Sequence, residues 1–257
     1  MNDRLRQILN IVIILATITV NILANALPLN GLNTGEISNR FQVYFVPAGY
    51  VFSIWGLIYL GLIAFAIYQA LPAQRTNPLL RRISPWVMLG GVANITWIFL
   101  WHYEKFPVTL IPMLVLLATL IVTYLLLGIG RTNASIAETW AVRLPFSIYL
   151  GWITVATVAN VTAVLDYLNW DGFGIAPEIW MAIMLAAVLV ISLLMSFTRR
   201  DIAYTLVLLW ALAGIAVKFA DVSAIAIPTW ITFGLVIAGQ SAAFFMQRPA
   251  QKLQIAS

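Results

Sequence analysis

The residues in this chain with chemistry to offer are amides and aromatics at helical intervals. Asn94, Trp97 and Trp101 are spaced 0, 3 and 7, and Tyr149, Trp152, Ala156 and Asn160 are spaced 0, 3, 7 and 11. Trp55 and Tyr59 are four apart. At ~100° per residue each set makes one stripe along a helix. Flat, polarisable walls with a few hydrogen-bonding groups are what a pocket for a planar hydrophobic molecule needs. The same stripes also serve simple helix packing, and spacing alone leaves both readings open. Other chemistry is missing. There is no Cys, and the one His, His102, sits at a helix end and reads as an interfacial residue. No Cys/His/carboxylate cluster has metal-ligand spacing. No nucleophile elbow, phosphate-cradling loop or dinucleotide fingerprint occurs. Hydrolysis is therefore poorly supported.

The elements that must position these stripes follow from composition. Hydrophobic residues are 62% of the 257 and charged residues 9%, against roughly 25% charge in a soluble domain. Such a chain cannot cover a water-facing surface, so the fold class is an all-α integral membrane protein. A bilayer core of about 30 Å takes about 20 apolar residues per helix. Eight stretches qualify: 8–27, 46–70, 85–101, 108–129, 144–165, 179–197, 202–220 and 225–246. The net charge of +5 then sorts by side. Arg4, Arg6, Arg75, Arg81, Arg82, Arg131, Arg143, Arg199, Arg200, Arg248 and Lys252 fall on one side, and Arg40, Lys105 and Lys218 on the other. By the positive-inside rule both termini are cytoplasmic, as an even number of spans requires. The charge is an orientation mark and gives no reason to expect nucleic acid.

Orientation also sets depth. Trp97, Trp101 and Asn160 fall in the outer half, with Asn21 and Asn25 of the first span, and Trp55 is nearly central. Amides in hydrocarbon need partners, so these faces point inward. Together they would line a cavity open to the outside, covered by the longest loop, Pro28 to Phe45. Trp86, Trp140, Trp170, Trp180 and Trp230 fit the interfacial belt, and Trp210 has no account at this level. Lys218 and Asp221, three apart, read as an exposed interfacial pair, and span centres hold no ionisable residue. Proton-driven pumping is accordingly poorly supported. One alternative concerns the N-terminus: basic Met1 to Gln7, an apolar run and Ala24-Asn25-Ala26 resemble a signal peptide with its cleavage site. The Asn21/Asn25 pair and the length of the run favour a retained span.

Three motifs carry a resemblance. Phe45-Val46-Pro47-Ala48-Gly49-Tyr50-Val51-Phe52 leads into Trp55-Gly56-Leu57-Ile58-Tyr59. Asn94-Ile95-Thr96-Trp97 is followed by Phe99 and Trp101. Tyr149, Trp152, Ala156 and Asn160 complete a Tyr-x-x-Trp-x-x-x-Ala-x-x-x-Asn helix without a gap. In this order, on the second, third and fifth spans, they resemble the tryptophan-rich sensory protein or translocator protein (TspO/MBR) family. No basic residue follows Tyr167, so the sterol pattern of that family is incomplete here.

The resemblance implies a five-helix bundle over residues 1–168 and leaves 169–257 as an additional three-helix unit packed on it. It implies binding of a porphyrin, tetrapyrrole or similar flat hydrophobic ligand, for sensing or transport, without enzymatic activity; porphyrin photodegradation is the one catalytic rival. Trp55, Tyr59, Trp97, Trp101, Tyr149 and Trp152 would pack around the ligand. Asn94 and Asn160 would bond its polar groups or brace helices, and Ala156 would leave room. No cofactor is required, beyond a bound porphyrin or haem-type molecule if that is the ligand. Expected partners are membrane lipids and the hydrophobic ligand, with a homodimer left open. The rival readings are a permease for an unrelated small molecule and a scaffold without ligand. The expected location is the inner cell membrane.

Overall fold

The computed structural model describes residues 2–27 and 29–246. Pro28, Arg248 and Lys252, used above for the loop boundary and the charge count, lie outside the described residues. Eight long helices run α1 Asp3–Ala26, α2 Ile54–Ala70, α3 Pro78–His102, α4 Phe106–Leu126, α5 Leu144–Tyr167, α6 Pro177–Thr198, α7 Ile202–Lys218 and α8 Ser223–Phe245. Seven helical stretches are long and apolar enough to cross a membrane. The exception, α7, has 17 residues and reaches roughly 25 Å at ~1.5 Å per residue. The chain is a multi-pass helical membrane protein.

Local sequence sets the helix starts. Asn77 caps α3 by accepting from Leu79 and Leu80, with Pro78 in the first turn. Pro107, Pro145 and Pro177 occupy the first turns of α4, α5 and α6. At Pro107 and Pro177 the missing N–H costs no hydrogen bond and the fixed φ is already helical. Asp201 caps α7 by accepting from the Tyr204 amide.

The first five helices close into a ring in the order α1–α2–α5–α4–α3, each packing on its two neighbours. α6, α7 and α8 form a second cluster that joins the ring where α7 packs on α5. Gly151 permits that approach, since a Cβ there would lie 3.0 Å from Val207 Cβ. The core is therefore a ring interior of Phe65, Ile83, Leu116, Phe146 and Ile153. The outward faces carry Leu60, Ile67 and Ile111, each more than 60% exposed. A surface of that kind is stable only with hydrocarbon as solvent.

The charges gather at the two ends as their sequence grouping requires. At one end Arg6 donates to the Arg75 carbonyl, Arg81 pairs with Asp3, and Arg143 pairs with Glu138. At the other, Arg40 pairs with Glu104. We call these the basic end and the loop end.

Candidate functional site

The amides and indoles of the stripes bond to one another across the ring. Near mid-depth, Asn21 of α1 donates to Asn94 Oδ1 at 2.6 Å, and Asn94 of α3 donates to the Tyr149 hydroxyl of α5 at 2.9 Å. Towards the loop end, Trp97 Nε1 donates to Asn160 Oδ1 at 2.9 Å, and Asn160 Nδ2 donates to Thr109 Oγ1 of α4 at 2.8 Å. Two amides thus tie four helices together, and both are spent on protein partners. Asn160→Leu should leave the buried Trp97 N–H without an acceptor and cost about 1–2 kcal/mol. A lowered melting temperature in detergent checks this, and an unchanged one refutes the bracing role.

The aromatics stand on two sides of the ring. Trp97 and Trp101 stack 5.2 Å apart at 18° on α3. Trp55 stacks on Tyr59 at 5.7 Å and meets Trp152 edge-on at 6.2 Å. Between α3 and α5 lies a cavity of about 40 Å³. Trp97, Trp101, Trp152, Ala156 and Asn160 line it, with Thr34 and Phe52. Trp152 is 2% exposed, and its Nε1 has no hydrogen-bond partner among the described residues. Leaving a buried N–H unpaired costs about 1–3 kcal/mol.

Trp55 and Tyr59 line a different space, an open groove of about 660 Å³ between α1 and α2. Asn21 and Asn25 form its other wall. Thr34 and Phe52 line both spaces and make the partition between them. Tyr149 faces a third, smaller cavity towards the basic end, and Asn94 lines none of the three. Of the nine stripe residues, five share the small cavity, two flank it, and two brace the ring below it.

The loop closes the site through contacts that spacing did not reveal. Asn33 caps the short helix Thr34–Ser38, with Glu36 returning the bond to the Asn33 amide. The Thr34 amide donates to Asn25 Oδ1 at 3.1 Å. His102 is 1% exposed and not interfacial. Its Nδ1 lies 3.1 Å from the Leu29 carbonyl, which can only accept, so Nδ1 donates there and Nε2 faces the Thr34 hydroxyl at 3.0 Å. The ring is buried because the loop folds back over the end of α3. Phe41 adds its ring at 5.7 Å from Trp101.

A family model described as TSPO-like protein matches residues 7–242. The chain belongs to the TSPO-like family. The match runs through α6, α7 and most of α8, so it covers both helical clusters. No curated protein and no solved structure matches the chain.

Two remaining features of this TSPO-like protein concern how α7 meets the ring. Trp210 donates its Nε1 to the Val51 carbonyl at 3.0 Å and meets Tyr50 edge-on at 5.5 Å. That bond gives Trp210 its role: it ties α7 to the segment leading into α2. Lys218 does not pair with Asp221. Its Nζ donates to Asn39 Oδ1 at 3.0 Å, because α7 ends at Lys218 and Phe219 leaves helical geometry, which breaks the i,i+3 alignment.

Proposed function

We propose that this protein binds a flat hydrophobic ligand of the porphyrin class in the aromatic cavity under the 29–45 loop, for sensing or transport. The observation that carries the reading is a cavity walled largely by Trp97, Trp101, Trp152, Phe52 and Ala156, beside which the Trp152 N–H is buried and unpaired among the described residues. A ligand carbonyl or carboxylate would supply the missing acceptor, and the Trp97/Trp101 stack would take its planar face. A drug-sized ligand needs roughly 300–1,000 Å³, so the Phe52 partition must swing aside and join the cavity to the α1–α2 groove. The basic end would face the cytoplasm, placing the loop on the outer side of an inner membrane. No step in this reading is catalytic, and the protein acts as a receptor or carrier.

The test is quenching of intrinsic Trp fluorescence by protoporphyrin IX in detergent. The wild type should quench saturably. Trp152→Phe keeps the ring and removes the donor, and should weaken binding about tenfold, the equivalent of one hydrogen bond near 1.4 kcal/mol. Ala156→Phe should fill the cavity and abolish saturation. Equal, non-saturating quenching in all three would refute the pocket. Uptake into proteoliposomes then separates a carrier from a sensor.

A further inference from the structure

The loop end holds a second cavity, built from different residues, which the ligand reading does not use. It has a volume of about 230 Å³ and lies between the end of α5, the start of α6 and the Gln42–Tyr44 segment. Its aromatic walls are Trp170, Trp180 and Tyr44, and Asp166 and Asp171 also line it. The two indoles sit 5.1 Å apart at 56° and form a corner. Trp180 is fixed in place because its Nε1 donates to the Gly172 carbonyl at 3.0 Å. Gly172 itself lies at φ +64°, in the left-handed region that glycine tolerates. Tyr44 is held by donating its hydroxyl to Glu178 at 3.2 Å. Burial and that carboxylate push the Tyr44 phenol up, so the hydroxyl keeps its proton and its bond.

The charge at this cavity is uncompensated. No Lys or Arg lines it, and neither Asp166 nor Asp171 forms an ion pair among the described residues. Each spends one oxygen on a backbone amide, Asp166 on Gln42 and Asp171 on Phe173. The other oxygen of each has no hydrogen-bond or ion-pair partner among the described residues. A hard divalent metal would want six or more oxygen ligands. Among the described residues no group of three His, Asp or Glu could hold a metal ion. Indole faces beside carboxylates match a large, weakly hydrated cation, which is attracted to both.

We propose that this cavity binds an organic cation with a quaternary or alkylated ammonium head. The head sits in the Trp170/Trp180 corner with Asp166 and Asp171 balancing its charge, and the head belongs either to a free small molecule or to a lipid.

The test uses the full chain in a maltoside detergent, with calorimetric titration of choline and of its neutral isostere 3,3-dimethylbutan-1-ol. Choline should bind saturably and at least tenfold more tightly than the isostere. The double variant Asp166→Asn/Asp171→Asn keeps both backbone-amide acceptors and should lose at least tenfold in choline affinity. Trp170→Leu should lose as much, and porphyrin quenching should be unchanged in both. Repeating the titration in phosphatidylcholine and phosphatidylglycerol nanodiscs assigns the source. Choline binding suppressed only by phosphatidylcholine identifies a lipid headgroup, and equal binding identifies a free solute. Equal affinity for choline and the isostere, or wild-type affinity in the double variant, overturns the proposal. Because the site shares no residue with the porphyrin cavity, either one can fail alone.

Discussion

Asp201→Ala is expected to destabilise the protein by roughly 2–4 kcal/mol, the cost of stranding several buried donors that shared a carboxylate. Asp201 is 7% exposed, between the two helical clusters. It accepts from the Tyr124 hydroxyl of α4 at 2.8 Å, the Ser147 hydroxyl of α5 at 2.5 Å and the Tyr204 amide at 3.1 Å. One residue therefore caps α7 and joins it to two ring helices. Around it the polar chain continues, with Thr205 and Ser196 both donating to Gln240 of α8. Removing the carboxylate leaves those first three donors without their acceptor among buried residues. Asp201→Asn keeps an acceptor oxygen and should recover more than half of the loss. Reversible unfolding in mixed micelles measures both. If Asp201→Ala unfolds within 0.5 kcal/mol of wild type on the order-of-magnitude scale for surface changes, the joint lies elsewhere.

Gly130→Ala should be comparably severe, for a backbone reason. Gly130 has φ +74° and packs against the turn between α6 and α7. A Cβ there would lie 1.8 Å from the Arg199 carbonyl oxygen. That neighbour is main chain at a helix end and cannot rotate away. Arg199 also donates to the Ile129 carbonyl at 3.4 Å and lies 5.7 Å over the Tyr124 ring, so the turn is held from both sides. The left-handed φ alone costs an Ala about 1 kcal/mol, and displacing the turn adds roughly 1–3 kcal/mol of overpacking strain. Gly128→Ala is the control. It also has positive φ, but the atoms nearest its Cβ would belong to the Thr132 side chain rather than to main chain. Gly130→Ala should fall well below Gly128→Ala in melting temperature, and equal losses would show that φ alone matters.

The stripes on α3 and α5 were legible in the sequence because helical spacing is local. Asn94, Trp97 and Trp101 share a face whatever surrounds them, and so do Trp152, Ala156 and Asn160. Their inward direction was legible too, since an amide in hydrocarbon must find a partner. The choice of partner was not legible. Asn94 meets Asn21 and Tyr149, and Asn160 meets Trp97 and Thr109, because helix rotation and depth come from packing across the ring. Thr34 and Thr109 carry no motif of their own, so no spacing rule could single them out, and Phe52 stood in a motif without a stated role. His102 and Trp210 were misplaced or unplaced for the same reason. Their partners lie 73 and 159 residues away in the chain.

By itself the sequence determined the helical membrane class, the positions of the eight apolar helices, the grouping of charge at two ends and the family, all of which depend on composition and on periods within single helices. Only the tertiary structure decided that the nine stripe residues divide among a small cavity, a wider groove and a brace. It alone placed the buried carboxylate of Asp201 at the joint between the two clusters. Those outcomes depend on which helix faces meet and at what height. The ring closes through contacts between residues far apart in the chain, where close packing sets the geometry, and no local period records it.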